Sequence, residues 1–220
     1  MDLYTTPFGK FLLEPDDLVS NELINGRFWE KELLPVFDML PRDSVVIEVG
    51  SYIGDHTVIL SKRCSRVIAI EGSIKNYYQL CANLLLNDCY NVTTYNKCVG
   101  NADGYYRIAS KEKGDMWYPT PRNNAGTRFV KKQGYIFAEK LDVLCRGIEK
   151  LTYLKIDVEG MDLDVLIGAH DLIEKYKPII TFEYNGLVSK QPYEEYKKYL
   201  QEVGYTIEKI GEWNWLALIK

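Results

Sequence analysis

Three carboxylates set the chemical question. Asp157 and Glu159 close the run Leu154-Lys-Ile-Asp-Val-Glu-Gly160, and Glu183 closes Pro178-Ile-Ile-Thr-Phe-Glu. Both runs are largely apolar, which predicts buried strands with acids at their carboxyl ends. Alternation along an extended chain puts Asp157 and Glu159 on one side of their strand. Clustered carboxylates repel one another, so one of them should hold its proton unusually tightly and suit general acid or base work near neutral pH. The same oxygens would also suit magnesium or manganese, with Asp157 and Glu183 as ligands. A purely structural alternative has Glu159 capping a turn and Glu183 pairing with a lysine.

A second constellation lies upstream. Val45-Val-Ile-Glu48-Val-Gly50-Ser-Tyr-Ile-Gly54-Asp-His56 passes from a β-branched run into two glycines and then a helix over about Asp55 to Lys62. Gly50 and Gly54 permit positive φ and close approach of a ligand to the backbone. The helix start presents unpaired N–H groups to an anionic group. The spacing is G-x-x-x-G, not the G-x-G-x-x-G of a dinucleotide site. A second run, Arg66 to Ile70, ends in Glu71, about 20 residues past the first glycine, where an acid can take both hydroxyls of a ribose. A cofactor with an adenosine ribose and a carboxylate, and without a pyrophosphate, suits this set better than a nicotinamide dinucleotide.

The motifs from Val45 to Gly54 and Val67 to Gly72, with Asn91 to Gly100, Leu154 to Gly160 and Pro178 to Asn185, resemble the FkbM family of Rossmann-like S-adenosylmethionine-dependent methyltransferases. The resemblance covers roughly Ser44 to Asn185, and Asp157-Val-Glu-Gly followed by Phe182-Glu183 after one helix is its most specific part. Family members usually carry Asp-Val-Gly-Ala-Asn-x-Gly where this chain has Glu48-Val-Gly-Ser-Tyr-Ile-Gly54. The resemblance implies methylation of a hydroxyl on a sugar or glycan. By it, cofactor contacts fall to Glu48, Gly50, Ser51, Tyr52, Ile53, Gly54, His56 and Thr57 in the first turn, to Glu71, Gly72 and Ser73 in the second, and to Asp157. Cys98 and Val99 would flank the adenine. Asp157 would place cofactor and acceptor, with Glu159 or Glu183 assisting proton removal; His56 is a further candidate base. Two rivals are a ribose 2'-O-methyltransferase acting on RNA and a non-catalytic, cofactor-binding scaffold.

The elements that must position these residues follow an α/β alternation. We expect a doubly wound, mostly parallel seven-stranded Rossmann-like sheet of order 3-2-1-4-5-7-6 with an N-terminal helical segment. Residues 1–43 read as an extension: irregular to Leu18, then a helix from Ser20 or Asn21 to about Met39, kinked at Pro35 and packed on the core rather than serving as a lid. Residues 44–220 read as the catalytic domain, with Val92 to Val99 as its third strand and Met161 to Tyr176 as one helix. Within it, 101–140 breaks the alternation. From Arg107 to Lys132 there are seven basic residues against Glu112 and Asp115, interleaved with Trp117, Tyr118 and Phe129. This insertion is the expected acceptor site, with Trp117, Tyr118, Arg122 and Arg128 as contacts to a sugar, nucleotide-sugar or glycan.

The 220 residues suffice for a full core, and 46% are hydrophobic. A formal net charge of -4 argues against general nucleic-acid affinity. Five cysteines without a C-x-x-C pair suggest neither a disulfide framework nor a zinc site. With no signal peptide or membrane-length apolar run, the expectation is a soluble cytoplasmic protein.

Overall fold

Strands that are apolar on both faces need cover on both faces, and the chain supplies it from two directions. The computed structural model describes residues 1–109, 129–131 and 134–220. The chain opens with β1 (Asp2–Thr6), β2 (Gly9–Leu13), α1 (Leu18–Ile24), a 3-10 turn (Lys31–Leu33) and α2 (Leu34–Asp38). Two crossover units follow: β3 (Val45–Val49), α3 (Asp55–Arg63), β4 (Arg66–Ile70), α4 (Ile74–Leu86) and β5 (Val92–Tyr95). Next come β6 (Cys98–Val99), β7 (Gly104–Ile108), β8 (Phe129–Lys131), β9 (Ile136–Glu139) and α5 (Leu141–Leu144). The chain ends with β10 (Tyr153–Ile156), α6 (Asp162–Gly168), α7 (His170–Tyr176), β11 (Ile179–Glu183), α8 (Tyr193–Glu202), β12 (Tyr205–Lys209) and β13 (Asn214–Ile219).

The main sheet has seven strands in the order β12-β13-β11-β10-β3-β4-β5. It is mixed: β11, β10, β3, β4 and β5 pair in parallel, while β13 runs antiparallel to both β11 and β12. Ile47, Val49, Leu154, Ile156 and Ile180 face a core closed by α6, α7 and α8. Val46, Val67, Ala69 and Tyr153 face the opposite core, closed by α3, α4 and the N-terminal elements. Crossovers on both faces bury the central strands completely, and this is why they read as unbroken apolar runs.

Several boundaries differ from expectation for identifiable reasons. The N-terminal stretch is a hairpin, since Pro7 and Gly9 make its turn: Thr6 Oγ1 donates to Gly9 O (3.1 Å) and accepts from Phe8 N–H (3.1 Å). The expected long helix is broken. Asp17 caps α1 through Ser20 N–H, Gly26 at φ 72° lies just past its end, and Pro35 starts α2 where it lacks no hydrogen bond, instead of kinking a longer helix. Val92 to Val99 splits in two, because the Asn96 side chain donates to Glu71 O (2.8 Å) and Cys98–Val99 join a separate sheet, β6-β9-β7-β8. The helix from Met161 also splits, at Ala169. Among the described residues no helix is long and apolar enough to cross a membrane.

Candidate active site

The parity of three strands builds the floor of the site. In the parallel register Lys155 lies opposite both Glu48 on β3 and Thr181 on β11, so these side chains share one face of the sheet. Asp157, two positions on, accepts from Lys155 Nζ through Oδ2 at 3.0 Å. Lys155 is 2% exposed. Burial works against its charge, yet Asp157, Glu30 and Glu48 together raise it well above the ordinary lysine value. It is a fixed cation under the cavity floor.

The turn after β3 shapes the cofactor side. Gly50 has φ 86°, and a Cβ there would lie 1.7 Å from the Asp157 carbonyl oxygen, so only glycine lets the two loops meet. Ser51 Oγ donates to Glu48 O (3.2 Å) and accepts from Ile70 N–H (3.1 Å), fastening the turn to the end of β4. Tyr52, at φ 45°, directs its N–H onto Glu71 Oε2 (2.9 Å), while Ser73 N–H donates to Oε1 (2.7 Å). Glu71 is thus oriented by two backbone donors. Burial pushes its carboxyl up to about 7.

These groups open onto one cavity of about 360 Å³ beyond the carboxyl ends of β3, β4, β10 and β11. Of the residues expected at the site, Gly50, Ser51, Tyr52, His56, Glu71, Gly72, Cys98, Val99, Asp157, Glu159 and Glu183 line it. Glu48, Ile53, Gly54, Thr57 and Ser73 do not. Glu48 is fully buried in the sheet face, where Oε2 takes the Thr57 hydroxyl at 2.5 Å. Ile53 sits in the core, Gly54 receives Leu80 of α4, and Ser73 acts through Glu71. These five hold the wall from behind. Trp117, Tyr118, Arg122 and Arg128 lie outside the described residues.

The alternation drawn through Asp157 and Glu159 stops short. Strand β10 ends at Ile156, and Glu159 (φ 52°) and Gly160 (φ 89°) form a left-handed turn against Val188. Glu183 is pushed up to about 10, first by burial and then by Asp157, Glu159, Asp162 and Glu30. It is a neutral acid at physiological pH. Cys98 is pushed up to about 12 by burial, then by Glu71, and so presents a neutral, apolar thiol. Its strand is held by pairing with β9, and Lys97 beside it is ion-paired to Glu139.

The metal reading is not supported. Among the described residues no group of three or more His, Cys, Asp and Glu could hold a metal ion. The Lys155 ammonium supplies the positive charge beside Asp157 that an ion would otherwise provide.

Sequence reasoning missed Lys155, although counting back two places from Asp157 along the strand would have found it. It also missed what the N-terminal segment contributes. Trp29 and Glu30, between α1 and the 3-10 turn, line the cavity together with Trp213 from the β12–β13 turn, so the segment packs on the core and also walls the site. No local pattern marks them, because the sharp reversal that delivers Glu30 is set by its left-handed backbone at φ 54°.

Comparison with known proteins bears on the family and the fold. A family model described as "Methyltransferase FkbM domain" matches residues 48–207. The solved structure of a methyltransferase FkbM from Methylobacillus flagellatus KT superposes with a TM-score of 0.56 at 16% identity, over 81% of this chain and 44% of that one. The chain therefore spans less than half the length of that protein. A precorrin-6y C5,15-methyltransferase from Geobacter metallireducens GS-15 gives 0.53 at 11% identity, covering 94% of each chain. A ribosomal protein L11 methylase from Lactobacillus delbrueckii subsp. bulgaricus gives 0.51 at 15%, over 84% of this chain and 74% of that one. At such identities the likeness is one of fold. No curated protein sequence matches.

Proposed function

The chain belongs to the FkbM methyltransferase family, and from that premise we propose that it moves a methyl group from S-adenosylmethionine to a hydroxyl of a sugar or glycan. One observation carries the cofactor part of this reading. Among the described residues six acids, Glu30, Asp55, Glu71, Asp157, Glu159 and Glu183, line the cavity, while the lining lysine, Lys97, is already paired with Glu139. Such a site favours a ligand carrying positive charge, which stabilises the ionised forms of acids that burial otherwise keeps protonated. It disfavours phosphate, which fits the lack of a dinucleotide turn.

The residues present fit the cofactor. Glu71, oriented by the Tyr52 and Ser73 N–H groups, keeps lone pairs on both oxygens for the two ribose hydroxyls. Val99 and the neutral Cys98 thiol offer an apolar wall to the adenine. Gly50 brings its turn against the Asp157 backbone, so that both border the ligand. When bound, the cofactor supplies an electrophilic methyl group for in-line displacement by an oxygen.

The acceptor side is made by Trp29, Trp213 and Asn185 with Glu159 and Glu183. Aromatic and polar side chains of this kind suit a sugar, whose ring offers apolar C–H faces and a rim of hydroxyls. Asp157, fixed by Lys155, orients the acceptor oxygen through its remaining lone pairs. Glu183, being neutral, donates a hydrogen bond to the acceptor, and this changes the part assigned to it from the sequence, which was proton removal. The aromatic and basic insertion adds further acceptor contacts in this reading, through Trp117, Tyr118, Arg122 and Arg128.

Calorimetry with S-adenosylmethionine, followed by label transfer over a panel of monosaccharides and nucleotide-sugars, tests the proposal. Asp157→Ala should lower transfer by about 10²–10³-fold and Glu183→Ala by about tenfold. Full activity in both would remove the catalytic assignment, and no binding at millimolar cofactor would remove the cofactor. Transfer to RNA in place of every sugar, lost steeply with salt, would favour the rival acceptor.

A further inference from the structure

The reaction proposed above leaves a proton to be placed, and four of the lining acids are poorly suited to take it. Asp157 is engaged by Lys155 at 3.0 Å. Glu71, oriented by two backbone donors, is committed to the ribose hydroxyls in that reading, and Glu183 already holds a proton. Asp55, at the start of α3, accepts hydrogen bonds from its own backbone and from that of His56.

Glu30 differs from all of these. Its backbone is left-handed (φ 54°, ψ 45°), a conformation unfavourable for a residue with a Cβ. That conformation turns the side chain to line the cavity, off an N-terminal segment that packs on the sheet. Oε1 is anchored by Asn214 Nδ2 at 2.7 Å. Among the described residues Oε2 has no hydrogen-bond partner, and it lies 3.7 Å from His56 Nε2. On the far side of that imidazole, Glu48 Oε1 is likewise without a partner, 4.0 Å from Nδ1. Phe28 and Phe37 hold the ring edge-on at centroid distances of 5.0 and 5.7 Å. A buried carboxyl oxygen left unsatisfied is costly unless another state of the molecule uses it.

We propose that Glu30 is the catalytic residue that accepts the acceptor's hydroxyl proton, and that its ionisation is coupled to the positive charge of the bound cofactor. This rests on the reading of the cavity as an S-adenosylmethionine site. Among the described residues, the groups that face Glu30 are Asp55 and His56 from α3, Tyr153, Lys155 and Asp157 at β10, Glu183 from β11 and Asn214 from β13, with Glu48 of β3 beyond the His56 ring. Burial, then Asp157, pushes the Glu30 carboxyl up to about 8 against the pull of Lys155. His56 cannot offset this, because burial and then Lys155 hold it well below its ordinary value and keep it neutral. A ligand that brings one positive charge into the cavity favours the ionised carboxylate and expels the proton. Methyl transfer then removes that charge, and Glu30 regains its affinity for a proton at the moment one is released. The balance closes: the acceptor oxygen gains the methyl carbon, sulfur keeps the electron pair of the broken carbon–sulfur bond, and the hydroxyl proton goes to Oε2 of Glu30.

The test is proton release on binding, read without turnover. S-adenosylmethionine and S-adenosylhomocysteine differ by the methyl group and its charge, so their shared amine and carboxylate cancel in the difference. Titrating each into the protein at pH 8 in buffers of different ionisation enthalpy should show about half a proton more released by the charged ligand. Glu30→Gln should abolish that difference, and Glu183→Gln should keep it. An undiminished difference in Glu30→Gln, or none in the unsubstituted protein, would overturn the proposal. Failure of both ligands to bind would instead remove the cofactor reading on which it rests. Should the glutamine variant not fold, the carboxyl-carbon resonance of Glu30 in the unsubstituted protein decides. Its titration midpoint should fall with the charged ligand and stay near the free value with the neutral one; equal midpoints would refute the coupling.

Discussion

At the scale of single residues, Lys155 bears the greatest electrostatic demand. It is one buried ammonium set among Glu48, Asp157 and Glu30, and its removal leaves these groups facing one another in a medium that screens poorly. Lys155→Met keeps the volume and the apolar stem and deletes the charge. Breaking a buried pair in this way costs about 3–5 kcal/mol when the partners remain ionised. The carboxylates of the variant can escape by taking up protons, so its deficit should be near that size at pH 8 and much smaller at pH 5.5. Urea denaturation of both proteins at the two pH values checks this; equal deficits would mean that Lys155 matters for packing alone. Gly50 makes the complementary case, since its role is steric. Gly50→Ala drives a Cβ into the Asp157 carbonyl, and the variant should fail to bind S-adenosylmethionine even where it still folds.

At the scale of elements, α4 joins the cofactor turn to the N-terminal hairpin. Gln79, Asn83 and Asn87 follow one another at helical spacing along one face. Their amides serve the open edge of β2: Gln79 Nε2 donates to Leu12 O (2.7 Å), Asn83 Oδ1 accepts from Leu12 N–H (2.7 Å), and Asn87 Oδ1 accepts from Lys10 N–H (3.0 Å). Asn83 Nδ2 also donates to Ile53 O, in the turn that shapes the cavity (2.9 Å). Asn83→Ala therefore strands one buried and one half-buried backbone group at once. A loss of about 2–3 kcal/mol is expected, or about 5–10 °C in Tm, with cofactor affinity lowered severalfold because the turn loosens. A variant with unchanged melting would show the ladder to be incidental. This ladder also marks where the sequence stopped being legible. Strands β3, β4, β10 and β11 announced themselves because both their faces are buried, and Glu71 because it ends one of them. The hairpin could not be read, since its edge is satisfied by side chains more than sixty residues away. Glu30 could not be read either, because its place depends on a backbone reversal that no neighbouring residue type dictates. Trp117, Tyr118, Arg122 and Arg128 are legible as a composition and lie outside the described residues.

At the scale of the whole molecule, the acidic cavity should govern stability as well as chemistry. Among the described residues, besides Glu48, five carboxyls are raised in the folded state, all chiefly by burial: Asp55, Glu71 and Asp162 to about 7, Glu30 to about 8 and Glu183 to about 10. In the unfolded chain they titrate near 4. Between those values the folded protein binds more protons than the unfolded one, so their contribution is fully present below about pH 4 and is lost as pH rises through the folded values. His56 acts in the opposite sense. It is depressed on folding, so the unfolded chain takes up an extra proton below about pH 6.5 and stability falls there. Five groups outweigh one, and the ligand-free protein should melt at least about 5 °C higher at pH 5.5 than at pH 8. A ligand that carries positive charge and expels protons binds more tightly as pH rises. S-adenosylmethionine should accordingly raise Tm more at pH 8 than at pH 5.5, drawing the two melting curves together, whereas S-adenosylhomocysteine should leave more of the gap. Scanning fluorimetry across this interval measures all three. A ligand-free Tm that stays flat or rises with pH would show that the cavity carboxyls are not held in their protonated form by folding, and the electrostatic account of the site would fall with it.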